Sequence, residues 1–226
     1  MSNAMKLADS YDEIRNSVVM VKAVTGSGTS IGTGFLVHRE GYIITALHVV
    51  DGAQRIEVVP EYWRHPIPAQ LVKRNKDDMA LLRIDFRGLD NNFKARFAPA
   101  RVCPRHKHVS PGIDVGMVGY AWGWEGKDDS LFVFRRTVCL NVMHPGHGPG
   151  LYYYLDGTAI AGMSGGPVFD YHERQVVGVL VRIEPERFVD IGTAADVTSI
   201  PSPEHLSVAL QSHYIHTAME SVGLDI

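Results

Sequence analysis

Cysteine is nearly absent: Cys103 and Cys139 are the only two in 226 residues. That excludes the disulfide framework that staples small secreted domains. The pair reads either as two small buried hydrophobes or as a single disulfide. Long apolar runs are missing too, and no segment approaches the ~18 apolar residues of a membrane span. Neither sign of charge dominates, since 22 Lys and Arg against 25 Asp and Glu leave a formal net charge of -3. Nothing in that balance points to nucleic acid or to an anionic membrane. Repeats and low-complexity segments are also lacking. The glycine-rich stretch 26–34 has no Lys-Ser/Thr pair and leads into an extended run, so it is not a phosphate loop.

What is present is the composition of a soluble globular protein, 45% hydrophobic and 21% charged, with ample material for a core. The length allows one or two domains. Residues 1–4 read as an expression remnant and Met5 as the native start. Residues 6–16 are polar and hold no apolar leader core, which predicts a cytoplasmic location.

Short β-branched runs fill the early chain at 17–24, 34–38, 42–46, 55–60, 69–74 and 79–85. Gly, Pro and Asp/Asn clusters separate them, as in an all-β barrel or sandwich. The polar stretch 87–94 reads as a joint between halves. A second set follows at 114–120, 131–142, 150–155, 166–169, 175–183 and 188–195. Leu206, Leu210, Tyr214, Ala218 and Met219 have helical spacing, which predicts one C-terminal helix over about 203–222.

Three motifs carry chemistry. Gly162-Met163-Ser164-Gly165-Gly166-Pro167 sets a serine among glycines. A nucleophile needs an exposed hydroxyl on a tight turn, which glycines permit. Such a turn aims the Gly162 and Ser164 N–H groups at one point, where they would stabilise an oxyanion. A serine hydroxyl alone is a poor nucleophile and needs an adjacent base. Thr45-Ala46-Leu47-His48 supplies one: His48 follows an apolar strand and opens a short turn. In Asp78-Met79-Ala80-Leu81-Leu82, Asp78 opens an apolar strand, so it can face His48 and fix the imidazole tautomer. Asp77 competes for that role, but the pattern Asp-x-Ala-Leu-Leu fits Asp78 alone.

With Gly34-Phe35-Leu36-Val37 and Ile43-Ile44, these segments resemble the trypsin-like peptidase family, and most of all its bacterial HtrA-type branch, over roughly 17–200. The resemblance implies an all-β fold of two six-stranded antiparallel barrels plus the C-terminal helix, with the active site in the cleft. It places the barrels at about 15–88 and 110–200 within a single peptidase domain, 5–226. It implies His48, Asp78 and Ser164 as the triad and Gly162 and Ser164 as the oxyanion hole. It makes 178–183 the strand that pairs with substrate, with Val181, Arg182 and Ile183 as substrate-binding residues, and 191–200 the last barrel strand. Thr158, six residues before Ser164, falls at the base of the pocket for the residue preceding the cut. A threonine there offers a cation no partner, so small or medium apolar residues are expected. The implied activity is that of a serine endopeptidase working through an acyl-enzyme. It needs no cofactor or metal, and its partner is a peptide or protein substrate, with no nucleic acid and no membrane. The alternative is a catalytically silent peptide-binding module on the same fold.

Two departures from the branch stand out. Only about 26 residues follow Ile200, too few for the PDZ domain that HtrA-type proteins usually carry, so PDZ-based substrate handling is not carried over. Met163 stands where cleavage-activated members have an aspartate that pairs with a newly exposed N-terminus. Methionine cannot make that pair, which predicts a site built without cleavage. Elsewhere plainer readings prevail. His144 and His147 read as a solvated loop rather than a zinc pair, for want of further ligands. Residues 105–108 read as a solvated basic loop, 26–34 as a hairpin beside the active site, and Tyr152-Tyr153-Tyr154 as strand, part core and part groove wall.

Overall fold

The computed structural model describes residues 10–63, 65–121, 131–143, 152–185 and 205–226. The first half forms β1 (Val18–Thr25), β2 (Gly28–His38), β3 (Tyr42–Ala46), β4 (Arg55–Pro60), β5 (Ile67–Asn75) and β6 (Met79–Ile84). In β4 alternate residues Ile56, Val58 and Pro60 are buried, the period-two pattern of a sheet with one wet face. β3 is buried at all five positions, because it also lies against the strand Gln175–Pro185 of the second half. The antiparallel strands close into a barrel in the order β1-β2-β3-β6-β5-β4.

The second half forms β7 (Asp114–Ala121), β8 (Leu131–Met143), β9 (Tyr152–Leu155), β10 (Pro167–Asp170), β11 (Gln175–Pro185) and β12 (His205–Gln211). It closes in the order β7-β8-β9-β12-β11-β10, the same winding as the first barrel. Phe134 packs so close to β7 that a Cβ on Gly116 would meet its ring at 2.6 Å. The polar joint contains a short helix, Asn91–Arg96, whose N-terminus is capped by the Asp90 carboxylate accepting from the Asn92 and Phe93 N–H groups. Phe93 of that helix is buried against Trp63, Phe86 and Phe97.

The end of the chain corrects the sequence reading. Residues 205–211 form β12, and only Ser212–Glu220 is helical. Val208, Ala209 and Leu210 are all buried, because β12, a wall strand between β9 and β11, turns Ala209 into the core of the second barrel and Val208 and Leu210 into the core on its other face. A run buried on both faces does not distinguish a strand from a helix by periodicity. The runs at 188–195 and 191–200, like His144 and His147, lie outside the described residues.

Cys103 and Cys139 are not joined in a disulfide and are buried in the core of the second barrel, and burial pushes the Cys103 thiol pKa up. Tyr153 is buried beside them with its hydroxyl accepting from the Val109 N–H, and burial raises its pKa to about 12. Its neighbours Tyr152 and Tyr154 are half-buried, as strand alternation requires. The basic loop is solvated and ion-paired, Arg105 with Glu220 and Lys107 with Glu173.

Candidate active site

His48 sits in a single helical turn, Leu47–Val50, that follows β3 directly. Val49 and Val50 are buried and anchor the turn, while the imidazole stays about half exposed, at 49%. Asp78 precedes β6 with φ 69°, a left-handed conformation that Asp tolerates better than most residues. That conformation lets one residue grip the His48 turn three times. Its carbonyl accepts from the Leu47 N–H at 3.1 Å, and Oδ1 accepts from the His48 N–H at 2.9 Å. Oδ2 lies 2.7 Å from His48 Nδ1. Of the two adjacent aspartates, Asp78 therefore meets the histidine. Asp77 is held apart by its N–H donating to Asn75 Oδ1.

Ser164 lies between β9 and β10 on a turn that both barrels clasp. Met163 N–H donates to Ile160 O at 3.0 Å with Gly162 at φ 93°, the third position of a type II turn. Buried Met163 closes the same turn a second time, its Sδ accepting from the Ile160 N–H. Gly165 N–H donates to Leu180 O of β11, and Gly166 N–H to Met163 O. From the first barrel, Thr33 N–H donates to Ser164 O at 2.8 Å and Thr33 Oγ1 donates to Gly162 O at 2.7 Å. Among the described residues, the N–H groups of Gly162 and Ser164 donate to no protein acceptor, unlike those of Met163, Gly165 and Gly166.

The serine turn lies close to the histidine strand. A Cβ on Gly165 would lie 2.4 Å from Thr45 Oγ1 and 2.6 Å from Ala46 N, just ahead of His48. The same Cβ would lie 2.2 Å from Thr33 O, and φ there is +86°. Gly165→Ala should therefore destabilise the protein by about 2–5 kcal/mol, from backbone strain and overpacking together. A denaturant melt within ~1 kcal/mol of wild type would contradict this packing, since surface changes cost less than that. No hydrogen bond joins Ser164 Oγ to His48 among the described residues. Such bonds are commonly long before substrate binds.

The hairpin at 26–34 does border this site: a Cβ on Gly32 would lie 3.1 Å from Ser164 O. The substrate-binding expectations scatter more widely. Val181 is fully buried, backbone included. Arg182 lies over the Tyr152 ring at 5.2 Å, and Ile183 is 40% exposed. Beyond Leu180, β11 pairs with β12 on one edge, and among the described residues its other edge carries no strand. Thr158 lines a cavity of ≈ 500 Å³ with Arg135, Arg136 and Asp156, a cavity that Val181, Arg182 and Ile183 do not line. Its carbonyl accepts from Arg135 Nη1 at 2.5 Å.

Two side chains that order this region escaped the sequence reading. Ser207 of β12 is buried and pins the Thr158 loop, with Oγ donating to Gly157 O at 2.7 Å and accepting from the Ala159 N–H at 2.8 Å. No local signal marks it. Thr33 stands between Gly32 and Gly34, which marks a crowded backbone but not its partner 129 residues away.

Comparison with known proteins bears on the family and the fold. A sequence model of the trypsin-like peptidase domain matches residues 32–179. A protein of Halomonas elongata named "Probable periplasmic serine endoprotease DegP-like" is 29% identical over 66% of this chain. The chain spans only 29% of that relative's length. The active form of the Rv3671c protease from M. tuberculosis superposes with a TM-score of 0.72 at 20% identity, covering 100% of this chain and 88% of that one. The HtrA-type protease AlgW with tripeptide gives 0.70 at 20% identity, covering 96% and 63%. At such identities the two structures speak to the fold, and both support the double barrel. The cytoplasmic location is overturned by the relatives, since those from Halomonas, Marinomonas, Hahella and Pseudomonas are all named periplasmic. That expectation rested on the polar stretch 6–16, and the start of a chain that covers so little of its relatives' length says nothing of location. With a family match over well over half its length and a double barrel to carry it, the chain belongs to the trypsin-like peptidase domain family.

Proposed function

We propose that the chain is a serine endopeptidase with Ser164 as nucleophile, His48 as general base and acid, and Asp78 as the carboxylate that orients the imidazole. Ser164 Oγ attacks the peptide carbonyl carbon while His48 accepts its proton. The tetrahedral oxyanion is received by the N–H groups of Gly162 and Ser164. His48 then protonates the leaving amine, and water, activated by the same imidazole, releases the acyl group. The observation that carries this reading is the His48–Asp78 couple, 2.7 Å between Nδ1 and Oδ2, beside a serine turn whose Gly162 and Ser164 N–H groups have no other acceptor among the described residues. Paired free donors of this kind are costly to lose, at about 100-fold or more in rate for one.

Substrate enters as an added strand on the open edge of β11, with main-chain bonds supplying affinity and side-chain pockets selectivity. Thr158 is assigned to the pocket for the residue preceding the cut on its place six residues before Ser164. It carries no charge, and the Arg135 guanidinium on its carbonyl adds positive charge that opposes a second cation. Digestion of a mixed peptide library, with cut sites read by mass spectrometry, tests both claims. Cleavage at internal bonds after small or medium apolar residues is expected. An undigested library would overturn the peptidase reading, and dominant cleavage after Arg or Lys would overturn the pocket assignment alone.

A further inference from the structure

The oxyanion turn needs something to hold it. In cleavage-activated relatives an aspartate before the serine does so by pairing with a new N-terminus, whereas here the residue is Met163, fully buried and uncharged. Met163 secures the turn only from within its own barrel, through the Ile160 N–H and O. Among the described residues, one residue of the other barrel hydrogen-bonds the opposite side. Thr33, itself fully buried in β2, makes four hydrogen bonds there. Its N–H donates to Ser164 O at 2.8 Å and its Oγ1 donates to Gly162 O at 2.7 Å. Oγ1 also accepts from the Tyr120 N–H of β7 at 2.9 Å, which fixes the direction of its hydroxyl proton toward Gly162. Its carbonyl accepts from Thr45 Oγ1 at 2.6 Å, on the strand that leads to His48.

The space is as tight as the bonding. A Cβ on Gly119 would lie 2.8 Å from Thr33 Oγ1 and 3.2 Å from Met163 Cα. Thr33 and the turn thus both press against the β7 backbone at Gly119, where no larger residue would fit. With the Gly162 carbonyl committed to the Thr33 hydroxyl, the Gly162–Met163 peptide has one orientation, and the N–H groups on either side of it stay free.

We infer that Thr33 is the positioning residue of the oxyanion turn, and that its hydroxyl does by a neutral hydrogen bond across the barrels what a charged pair does in cleavage-activated relatives. This rests on the proposed catalytic roles of Gly162 and Ser164 and adds how their geometry is held. It also makes the competent turn the resting arrangement of the uncleaved chain.

The test compares Thr33→Val, which keeps the shape and removes the hydroxyl, with Thr33→Ser, which keeps the hydroxyl. Both are assayed on a peptide substrate and with a peptide aldehyde, whose hemiacetal oxygen would occupy the oxyanion site. Misplacing such a turn costs roughly 10–100-fold in rate. For folded Thr33→Val, kcat is expected to fall by about that factor, with aldehyde affinity falling in parallel and KM within ~3-fold of wild type. Thr33→Ser is expected to restore kcat and aldehyde affinity to within ~3-fold of wild type. Thr33→Val that folds and keeps wild-type kcat and aldehyde affinity would overturn the inference. So would Thr33→Ser that folds and is as slow as Thr33→Val, and Thr33→Ser alone decides if Thr33→Val does not fold. A wild-type chain that cleaves nothing would instead overturn the proposed function itself.

Discussion

Replacing Ser164 by alanine should leave the melting profile unchanged and reduce peptide cleavage by at least ~10⁴-fold. The two halves of that expectation have separate grounds. The turn is held by backbone groups of residues 160, 162, 163, 165 and 166 and by Thr33, none of which Ser164→Ala removes. Ser164 Oγ makes no hydrogen bond among the described residues, so its loss leaves no buried partner unsatisfied. The rate loss is large because the covalent step has no substitute: His48 can deprotonate water, but the acyl-enzyme route closes. What remains is the rate supplied by the free N–H pair and substrate binding alone. Purified Ser164→Ala protein with more than a few per cent of wild-type turnover would show that another group attacks.

The second large effect belongs to Asp78. Asp78→Asn should lower kcat by about 10⁴-fold while the fold persists. Asparagine tolerates the left-handed backbone at φ 69° as well as aspartate does, and the carbonyl that accepts from the Leu47 N–H is untouched. What changes is the partner of His48 Nδ1. A carboxylate forces the proton onto Nδ1 and leaves Nε2 free to accept from the serine, whereas an amide donor reverses the tautomer and cannot offset the charge of the imidazolium. Asp77→Asn is the control. Among the described residues its backbone N–H, and not its carboxylate, is engaged, by Asn75, so kcat should stay within ~3-fold. Equal losses at the two positions would show that the acidic turn acts through net charge and not through one oriented carboxylate.

Much of this architecture was legible in the residues, for reasons that can be named. Runs such as Arg55–Pro60 alternate because one face of the sheet is wet, so period two survives in the sequence. The three motifs were legible because each is a local device: a glycine turn, a strand end with histidine, a strand start with aspartate. β12 was not, because Leu206 and Leu210 fit strand and helix equally once a run is buried on both faces. The identical winding of the two barrels also left no trace, since shared topology needs only matched strand order and not matched side chains. Thr33 and Ser207 were missed for a third reason. Each acts through partners more than 40 residues away, Gly162 for one and Gly157 for the other, and no local pattern encodes that meeting. Substrate selectivity reads worst from sequence, because it depends on the loop at 156–160, which Arg135 and Ser207 hold from two different strands.

The claim on which the rest depends is that Ser164 is an activated nucleophile in the chain as it stands. Reaction with a fluorophosphonate reads this directly, because the reagent labels a serine only where a base and an oxyanion site activate it. Intact protein of confirmed mass should take up a single adduct, mapped by peptide mass spectrometry to Ser164 and absent from Ser164→Ala. A silent binding module on the same fold would give no adduct. Either that result, or an adduct that persists in Ser164→Ala, would contradict the account.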